Sequence, residues 1–264
     1  GIKAIHVPEA GIVDYRQVCA RMAEKVESKE ENQIFLASKV VQMSMSVDRV
    51  VVTTARAEHE ARFVVNCAGL HSDRVTSLTE TPKAKIIPFR GEYFEVIPEA
   101  HHLCRNLIYP VPDPSFPFLG VHFTRMIGGG LECGPNAVLA FAREGYTRTN
   151  VNWKDLAETL SYPGFLKLSA KYWRTGLGEM WRSFSKGAFV RALQRLVPEI
   201  EEHHLEAVPA GIRAQAVTPE GKLVDDFLIQ ESSRVIHVGN APSPAATSSL
   251  NIGRLIVEKL EAHF

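Results

Sequence analysis

Two residues in separate strand-like segments, Arg213 and His122, have side chains suited to carboxylate binding and proton transfer. Arg213 lies in the alternating run 210–216, and a guanidinium turned inward from it can hold a carboxylate through two parallel hydrogen bonds. His122 alternates with apolar neighbours, and an imidazole that titrates near neutrality can take a hydroxyl proton. Structural interpretations exist for both: Arg213 could pair with Asp225 or Asp226 across a turn, and His122 could be a satisfied residue of a half-buried strand.

Residues 240–249 join the apolar run 235–238 to a C-terminal helix and could receive a flat ligand. Pro242 and Pro244 hold the backbone extended, and the small residues around them leave space beside the turn. The helix that follows presents N–H groups and partial positive charge at its start, which suits an electron-rich or anionic ligand edge. An ordinary proline-containing turn between a strand and a helix is the simpler interpretation.

Other polar residues lie at the ends of predicted strands, where their side chains can converge on one cleft. Arg90 precedes Gly91, and Asn136 lies in the run 134–137. The histidine pairs 101–102 and 203–204 are adjacent rather than four residues apart, so they cannot share a metal ion from one face of a helix. No metal site is predicted.

The composition is that of a folded protein without a global charge. The 264 residues are 45% apolar and 23% charged, and 30 basic residues balance 30 acidic ones. A chain with balanced charges has no net positive electrostatic potential to attract nucleic acid, so no nucleic-acid partner is expected. Four cysteines without zinc spacing indicate reduced thiols, and neither a secretory signal nor a membrane-spanning run is evident, which favours a cytoplasmic location.

The patterning predicts a mixed α/β (α+β) fold. Residues 15–30 have helical spacing, and they are followed by short β-branched runs at 34–36, 40–41, 50–54 and 63–65. Longer runs broken by proline then predict an antiparallel sheet, and residues 152–204 predict helices.

Strand-type segments at both ends bracket the sheet and helices in the middle. We therefore expect residues 1–80 and 207–264 to pair into one domain, and residues 81–206 to form a separate domain that faces the substrate. The strand, G-x-G-x-x-G turn and helix that usually open a nucleotide-binding α/β domain are missing from this sequence. The three glycines at 128–130 join two strand-like runs and predict a hairpin turn instead.

The helical region has a surface that could rest on anionic lipid. Basic residues alternate there with Trp173, Leu177 and Trp181, a composition found on helices that lie in membrane interfaces. A solvated helix face is the alternative. A peripheral contact with the inner membrane is therefore an expectation, in a mitochondrion if the source is eukaryotic.

Several segments together resemble one protein family. They are PFRGEYF (88–94), YPVPDP (109–114) with PFLGVH (117–122), GPNAVLAF (134–141) with REGY (143–146), the strand around Arg213, and residues 240–249. In this order they are similar to the L-2-hydroxyglutarate oxidase/dehydrogenase family, part of the FAD-dependent group that includes D-amino-acid and glycine oxidases. The likeness covers essentially the whole chain.

The resemblance implies FAD in a Rossmann-like domain and an antiparallel-sheet domain for the substrate. It implies oxidation of a small dicarboxylate, L-2-hydroxyglutarate, to 2-oxoglutarate, with the electrons passed to a quinone or to oxygen. It also implies a glycine-rich unit for the FAD pyrophosphate ahead of these residues, so the chain is expected to be an N-terminally truncated form.

The resemblance can be carried over residue by residue. It implies that Arg213 binds the substrate carboxylate. We expect the side chains of Arg90, Asn136 and Gln215 to contact the substrate as well, and His122 to act as the catalytic base. The flavin pyrimidine edge is assigned to Pro242, Ser243, Pro244, Ala245, Ala246, Thr247 and Ser248. Backbone contacts with the adenosine half are assigned to Val40, Cys67, Ala68 and Gly69. The alternative functions are a non-catalytic remnant or interaction module that keeps the fold without binding flavin, and an oxidase of a related hydroxy or amino acid.

Overall fold

The structure is a computed structural model that describes residues 3–111, 120–241 and 245–263, without the side chains of Thr175, Arg182 and Phe184. The chain forms two compact units. The middle unit comprises Gly1–Asp14, Pro88–Ser161 and Leu166–Arg213. The outer unit comprises Tyr15–Ile87, Tyr162–Phe165 and Ala214–Phe264. The functional domains drawn from the sequence, 1–80, 81–206 and 207–264, stay a prediction.

A three-stranded antiparallel sheet occupies the first part of the outer unit. Strands β1 (Val40–Met45), β2 (Val50–Thr54) and β3 (Glu58–Ala61) pair in this order, and their β-branched residues suit a half-buried pleated surface. Buried Met43 and Val50 form the core beneath it. Helix α1 (Tyr15–Glu27) precedes the sheet and lies within the predicted span 15–30.

The strand predicted at residues 34–36 is wrong. Ile34, Phe35 and Leu36 are exposed, and Leu36 begins a turn rather than a paired strand. Ala37 has a positive φ of 51°, a conformation that ends extended backbone. An apolar triplet without alternation therefore misled the prediction, because nothing in it distinguishes a strand from a surface turn.

A second sheet in the outer unit brings distant parts of the chain together. Strand β4 (Val64–Asn66) pairs in parallel with β11 (Val235–Asn240), which pairs antiparallel with β10 (Leu228–Glu231). A short 3-10 turn (Gly69–His71) and helix α2 (Ser72–Thr76) follow β4, and helix α6 (Ser249–Glu261) follows β11. Because β4 and β11 are parallel, the segments that leave their carboxyl ends emerge at the same edge of the sheet.

The third sheet is the antiparallel one that the sequence predicts. Its strands are β5 (Lys85–Val96), β6 (His122–Arg125), β7 (Leu131–Gly134), β8 (Val138–Leu139) and β9 (Leu205–Val217), in the order β6-β7-β5-β8 with β9 paired to β5. The glycines at 128–130 form the turn between β6 and β7, as predicted, and the Met126 N–H closes it on the Gly130 carbonyl. Residues 107–112 are one of the proline-broken runs that predicted this sheet; in this run Ile108 forms an isolated bridge to Phe123, and Pro112 lies outside the described residues.

Three helices follow β8. They are α3 (Trp153–Leu160), α4 (Pro163–Phe184), which is interrupted at Tyr172, and α5 (Lys186–Leu193); 3-10 turns occupy Pro98–Leu103 and Glu202–His204. The Asn152 side chain begins α3 by accepting hydrogen bonds from the N–H groups of Lys154 and Asp155. Phe189 and Leu193 of α5 pack with Phe123 and Leu131 in the core of the middle unit. In the part of the chain that the structure describes, no helix has the length and apolar character to cross a bilayer.

Candidate functional site

A cavity of about 380 Å³ lies in the outer unit at the carboxyl ends of the parallel strands β4 and β11. Ligands of open α/β sheets bind at such an edge, where the segments that leave neighbouring strands separate. Four residues predicted to contact a cofactor line this cavity: Cys67, Gly69, Ala245 and Ala246. The structure adds lining residues to which the sequence assigned no cofactor contact, among them Ser72, Ile86, Ala214, Gly239, Ile252, Gly253 and Ile256. Asn240, the first residue of the predicted ligand-binding segment 240–249, lines the cavity as well.

Small residues make room in this cavity. A Cβ added at Gly69 or Gly253 would meet no heavy atom within 4 Å, so both glycines leave open space beside the backbone. Gly69 also has a positive φ of 51°, which glycine adopts without strain. Helix α6 begins at the same wall, where its N-cap residue Ser248 makes no side-chain capping bond. The Ser249 N–H donates to the Ala246 carbonyl oxygen at 3.3 Å, and the partial positive charge at the start of α6 suits an electron-rich ligand.

The remaining residues predicted to bind a cofactor have other surroundings. Ala68 lies between two lining residues, and its N–H is bound by the Asn66 side chain at 3.0 Å. Thr247 and Ser248 belong to the turn before α6, whereas Val40 pairs with Thr54 and packs against the core of the first sheet. Pro242, Ser243 and Pro244 lie outside the described residues. Cofactor contacts at all these positions stay predictions.

Arg213 belongs to a cluster of half-buried polar groups in the middle unit. Burial lowers the pKa of its guanidinium, and the phenol of Tyr93 acts in the opposite direction. The positive charge of Arg213 in turn lowers the pKa of His122, adding to the larger effect of burial. Arg213 is therefore close enough to both Tyr93 and His122 to shift the pKa of each. The sequence predicted the first and third of them but not Tyr93.

His122 is held in one tautomer. Its Nδ1 lies 3.1 Å from the Gly120 carbonyl oxygen, which can only accept a hydrogen bond, so Nδ1 carries the proton. The lone pair is then on Nε2. Burial keeps the pKa of this imidazole below its ordinary value although the bond to Gly120 raises it, so the ring is neutral at physiological pH. The Tyr109 ring stacks on it with centroids 4.2 Å apart and planes 17° apart, which fixes its orientation.

Arg90 and Asn136 converge on the buried carboxylate of Glu92. Arg90 Nη2 donates to Glu92 Oε1 at 3.1 Å, and Asn136 Nδ2 donates to Oε2 at 2.9 Å. Asn136 Oδ1 also accepts the Glu92 N–H at 2.9 Å. Burial alone would raise the pKa of Glu92, but hydrogen bonds from Arg148, Ser183 and Asn136 lower it below its usual range.

Arg90 and Asn136 therefore use these polar groups for hydrogen bonds within the protein. They favour a structural role over the predicted substrate contact, which stays a prediction. Side chains alternate along β5, so Arg90 and Glu92 share one face of the strand and Tyr93 points to the other. The Arg-x-Glu spacing in the sequence could have indicated that Arg90 and Glu92 lie side by side on one face of the strand. Strand alternation could also have indicated that Tyr93 lies on the opposite face.

Gln215 also has partners within the protein. Its Nε2 donates to the carbonyl oxygens of Ala216 and Val224, each at 3.1 Å. These bonds tie the end of β9 to the segment after it. The predicted contact between Gln215 and a substrate stays a prediction.

Comparison with known proteins gives the family. Residues 1–259 match the family of FAD dependent oxidoreductases. The sequence is 54% identical to an L-2-hydroxyglutarate dehydrogenase from Indibacter alkaliphilus over 98% of this chain and 65% of that protein. It is 46% identical to the enzyme of the same name from Escherichia coli over 99% of this chain and 62% of that protein. The chain thus spans somewhat less than two thirds of the length of these relatives.

A solved structure supports the fold. L-alpha-glycerophosphate oxidase from Mycoplasma pneumoniae, dithionite-reduced and with FAD bound, superimposes with a TM-score of 0.60 at 17% identity. The superposition covers 85% of this chain and 50% of that one. At this identity the similarity concerns the fold alone. Family match and fold lead to the same conclusion: the chain belongs to the family of FAD-dependent oxidoreductases.

Proposed function

We propose that this chain carries the substrate site and part of the flavin site of an enzyme that oxidises L-2-hydroxyglutarate to 2-oxoglutarate. The observation that carries the proposal is the cluster of Arg213 and His122, which sets a carboxylate-binding cation near an imidazole with an unprotonated Nε2. A 2-hydroxy acid offers the matching groups, a carboxylate and a hydroxyl on neighbouring carbons. The dehydrogenases that are 46–54% identical supply the name of the substrate.

The cavity of the outer unit fits part of a flavin nucleotide. Small residues form most of its wall together with Ile86, Ile252 and Ile256, and a Cβ at Gly69 or Gly253 would enter open space that a ligand can occupy. Cys67 and Gly69 would approach the ligand after β4, and Ala245 and Ala246 would approach it before α6. The positive end of α6 would favour negative charge at a ring edge.

Two residues of the middle unit have separate roles in the reaction, Arg213 in substrate binding and His122 in proton transfer. Arg213 binds a substrate carboxylate through its guanidinium and thereby fixes the hydroxyl-bearing carbon. His122 accepts the hydroxyl proton at Nε2 while its Nδ1–H remains on the Gly120 carbonyl. When bound, FAD supplies an acceptor for the hydride, the two electrons and proton that the carbon loses. Tyr109 stacks on the imidazole and holds its orientation during this transfer.

Flavin uptake and turnover test the proposed function together. We expect the purified protein to bind FAD, seen as flavin absorbance that remains after gel filtration, and to form 2-oxoglutarate from L-2-hydroxyglutarate with an artificial electron acceptor. The D enantiomer is the matched control, since it presents the same carboxylates with the hydroxyl misplaced. A colourless protein that takes up no FAD would instead support a non-catalytic member of the fold. Faster turnover of another hydroxy acid or an amino acid would support a related oxidase.

A peripheral membrane contact is the second part of the proposal, and helix α4 carries it. The part of α4 that follows the interruption at Tyr172 has a large apolar residue at every fourth position. These residues are Trp173, Leu177 and Trp181, and they are 55%, 61% and 66% exposed. Glu179, the one acidic residue in the sequence of α4, is buried, while Lys171 and Arg174 are exposed. An apolar stripe flanked by cations is complementary to an anionic lipid surface, which would place the enzyme near a quinone acceptor.

Vesicle binding tests this contact. Replacing Trp173 and Trp181 by serine is expected to lower the affinity for vesicles containing phosphatidylglycerol by about tenfold or more, because two large apolar side chains no longer insert. Co-sedimentation measures the bound fraction. The matched control is Trp153→Ser, which removes a 77% exposed tryptophan from α3. An equal loss of vesicle affinity in the double variant and in Trp153→Ser would contradict the contact. A parent protein that does not bind the vesicles would contradict it as well.

A further inference from the structure

A fully buried histidine lies behind the cavity of the outer unit. His237 of β11 is 0% exposed and stands opposite Asn66 in the parallel register of β11 with β4. Its Nδ1 is 3.1 Å from Asn66 Nδ2, and its Nε2 is 2.9 Å from Thr79 Oγ1. Asn66 is followed directly by the turn of Cys67, Ala68 and Gly69, whose first and last residues line the cavity. The histidine therefore lies one side chain away from the predicted cofactor contacts.

The hydrogen bonds of Asn66 fix the orientation of its amide. Its Oδ1 accepts the Ala68 N–H at 3.0 Å, and its Nδ2 donates to the Ser72 carbonyl at 3.0 Å. A backbone N–H can only donate and a carbonyl can only accept, so a flipped amide would lose both bonds. The group that faces His237 is thus the donor Nδ2. His237 Nδ1 must accept, which places the ring proton on Nε2.

We propose that neutral His237 is a positioning residue for the cofactor cavity. By accepting from Asn66 it holds the one amide that binds both the Ala68 N–H in the cavity turn and the Ser72 carbonyl at the start of α2. The inference that this turn serves FAD rests on the proposed function. The control of the turn by His237 can be measured without flavin.

Protonation of His237 would undo this arrangement. A proton on Nδ1 would point at the Asn66 Nδ2–H group, so two donors would face each other. The amide could turn its oxygen toward this proton only by losing its hydrogen bonds to the Ala68 N–H and the Ser72 carbonyl. Among charged groups around the ring, Glu80 Oε1 lies 3.8 Å from Nε2; this buried atom has no hydrogen-bond partner among the described residues. The elements packed against β11 also carry His71, Asp73, Arg74 and Glu231.

The direction of the pH dependence follows from burial. Burial lowers the pKa of His237, while the charge of Glu80 raises it to a lesser extent. A histidine whose pKa is lower in the folded state contributes stability that is fully present above its ordinary value and is lost as the pH falls through the folded-state value. The turn should therefore loosen in acid and be held at neutral pH.

Two substitutions separate positioning from packing. In His237→Asn the side-chain oxygen can replace Nδ1 as the acceptor for Asn66, but nothing titrates. In His237→Gln the amide nitrogen can replace Nε2 toward Thr79, but the acceptor for Asn66 is lost. We expect amide hydrogen exchange of residues 66–69 in flavin-free protein to accelerate about tenfold in His237→Gln, relative to the amides of β7, and to stay within about threefold in His237→Asn. The dissociation constant for FAD, measured by flavin fluorescence, should follow the same order.

The pH dependence and the controls complete the test. Between neutral and mildly acidic pH the parent protein should lose protection at residues 66–69, and His237→Asn should not. His203→Gln, at a 67% exposed histidine of the middle unit, should behave as the parent. Equal exchange in the two His237 variants, or no acid-induced loss of protection in the parent, would overturn the inference. A parent protein that binds no FAD but shows the exchange pattern would refute the proposed function and leave the role of His237 in place.

Discussion

Replacement of Arg213 by alanine is expected to raise the KM for L-2-hydroxyglutarate about a hundredfold while FAD still binds. The guanidinium is half-buried beside Tyr93, so a carboxylate that binds there exchanges water for charge-assisted hydrogen bonds in a partly desolvated place. Truncation of one partner of such a pair costs about 2–5 kcal/mol, and a hundredfold change is about 2.7 kcal/mol. Steady-state kinetics with the L enantiomer give the value.

Matched variants sharpen this expectation. Arg213→Lys keeps the charge but not the planar fork, and it should fall between the parent and the alanine variant. Arg105→Ala removes an exposed arginine of the same unit and should change nothing. An unchanged KM in Arg213→Ala, with flavin retained, would remove the carboxylate role from this residue.

Replacement of His122 by glutamine should lower kcat about a hundredfold or more with a small effect on KM. The Gln amide can accept a hydrogen bond from the substrate hydroxyl but cannot take its proton, and general-base catalysis contributes about 10²–10⁴-fold. The pH profile supplies the sharper measurement. Since burial and Arg213 lower the pKa of His122, the parent rate should fall on the acid side below the ordinary pKa of histidine, where Nε2 becomes protonated.

The glutamine variant should lose this acid limb. His102→Gln, at an exposed histidine whose Nδ1 bonds the Glu99 carbonyl, is the control and should keep both rate and profile. If the acid limb persists in His122→Gln, another group is the base.

Local patterns predicted much of this fold correctly. Helical spacing located α1, three glycines located the β6–β7 turn, and proline-broken apolar runs located the antiparallel sheet. Each of these features depends on residues close in sequence, where backbone preference and alternation act directly. The family resemblance, carried by segments such as 88–94 and 134–141, is confirmed by the match over residues 1–259.

Long-range contacts could not be predicted in the same way. Asn66 and His237 are 171 residues apart, and nothing in either short strand specifies the other as its neighbour. The Glu92 network shows a related limit. Polar residues at strand ends look alike in a sequence whether they face a cleft or one another, so the sequence did not indicate that Asn136 bonds Glu92. The substrate contacts expected of Arg90 and Asn136 stay predictions.

The parallel pairing of β4 with β11 has a consequence for biosynthesis. The wall of the cavity draws on residues from Cys67 to Ile256, so a ribosome must translate nearly the whole of this stretch before both sides exist. If the cavity holds the flavin as proposed, loading of FAD must wait for the late segment, and a nonsense codon between Gly69 and Val235 would remove the part of the wall that β11 and α6 supply.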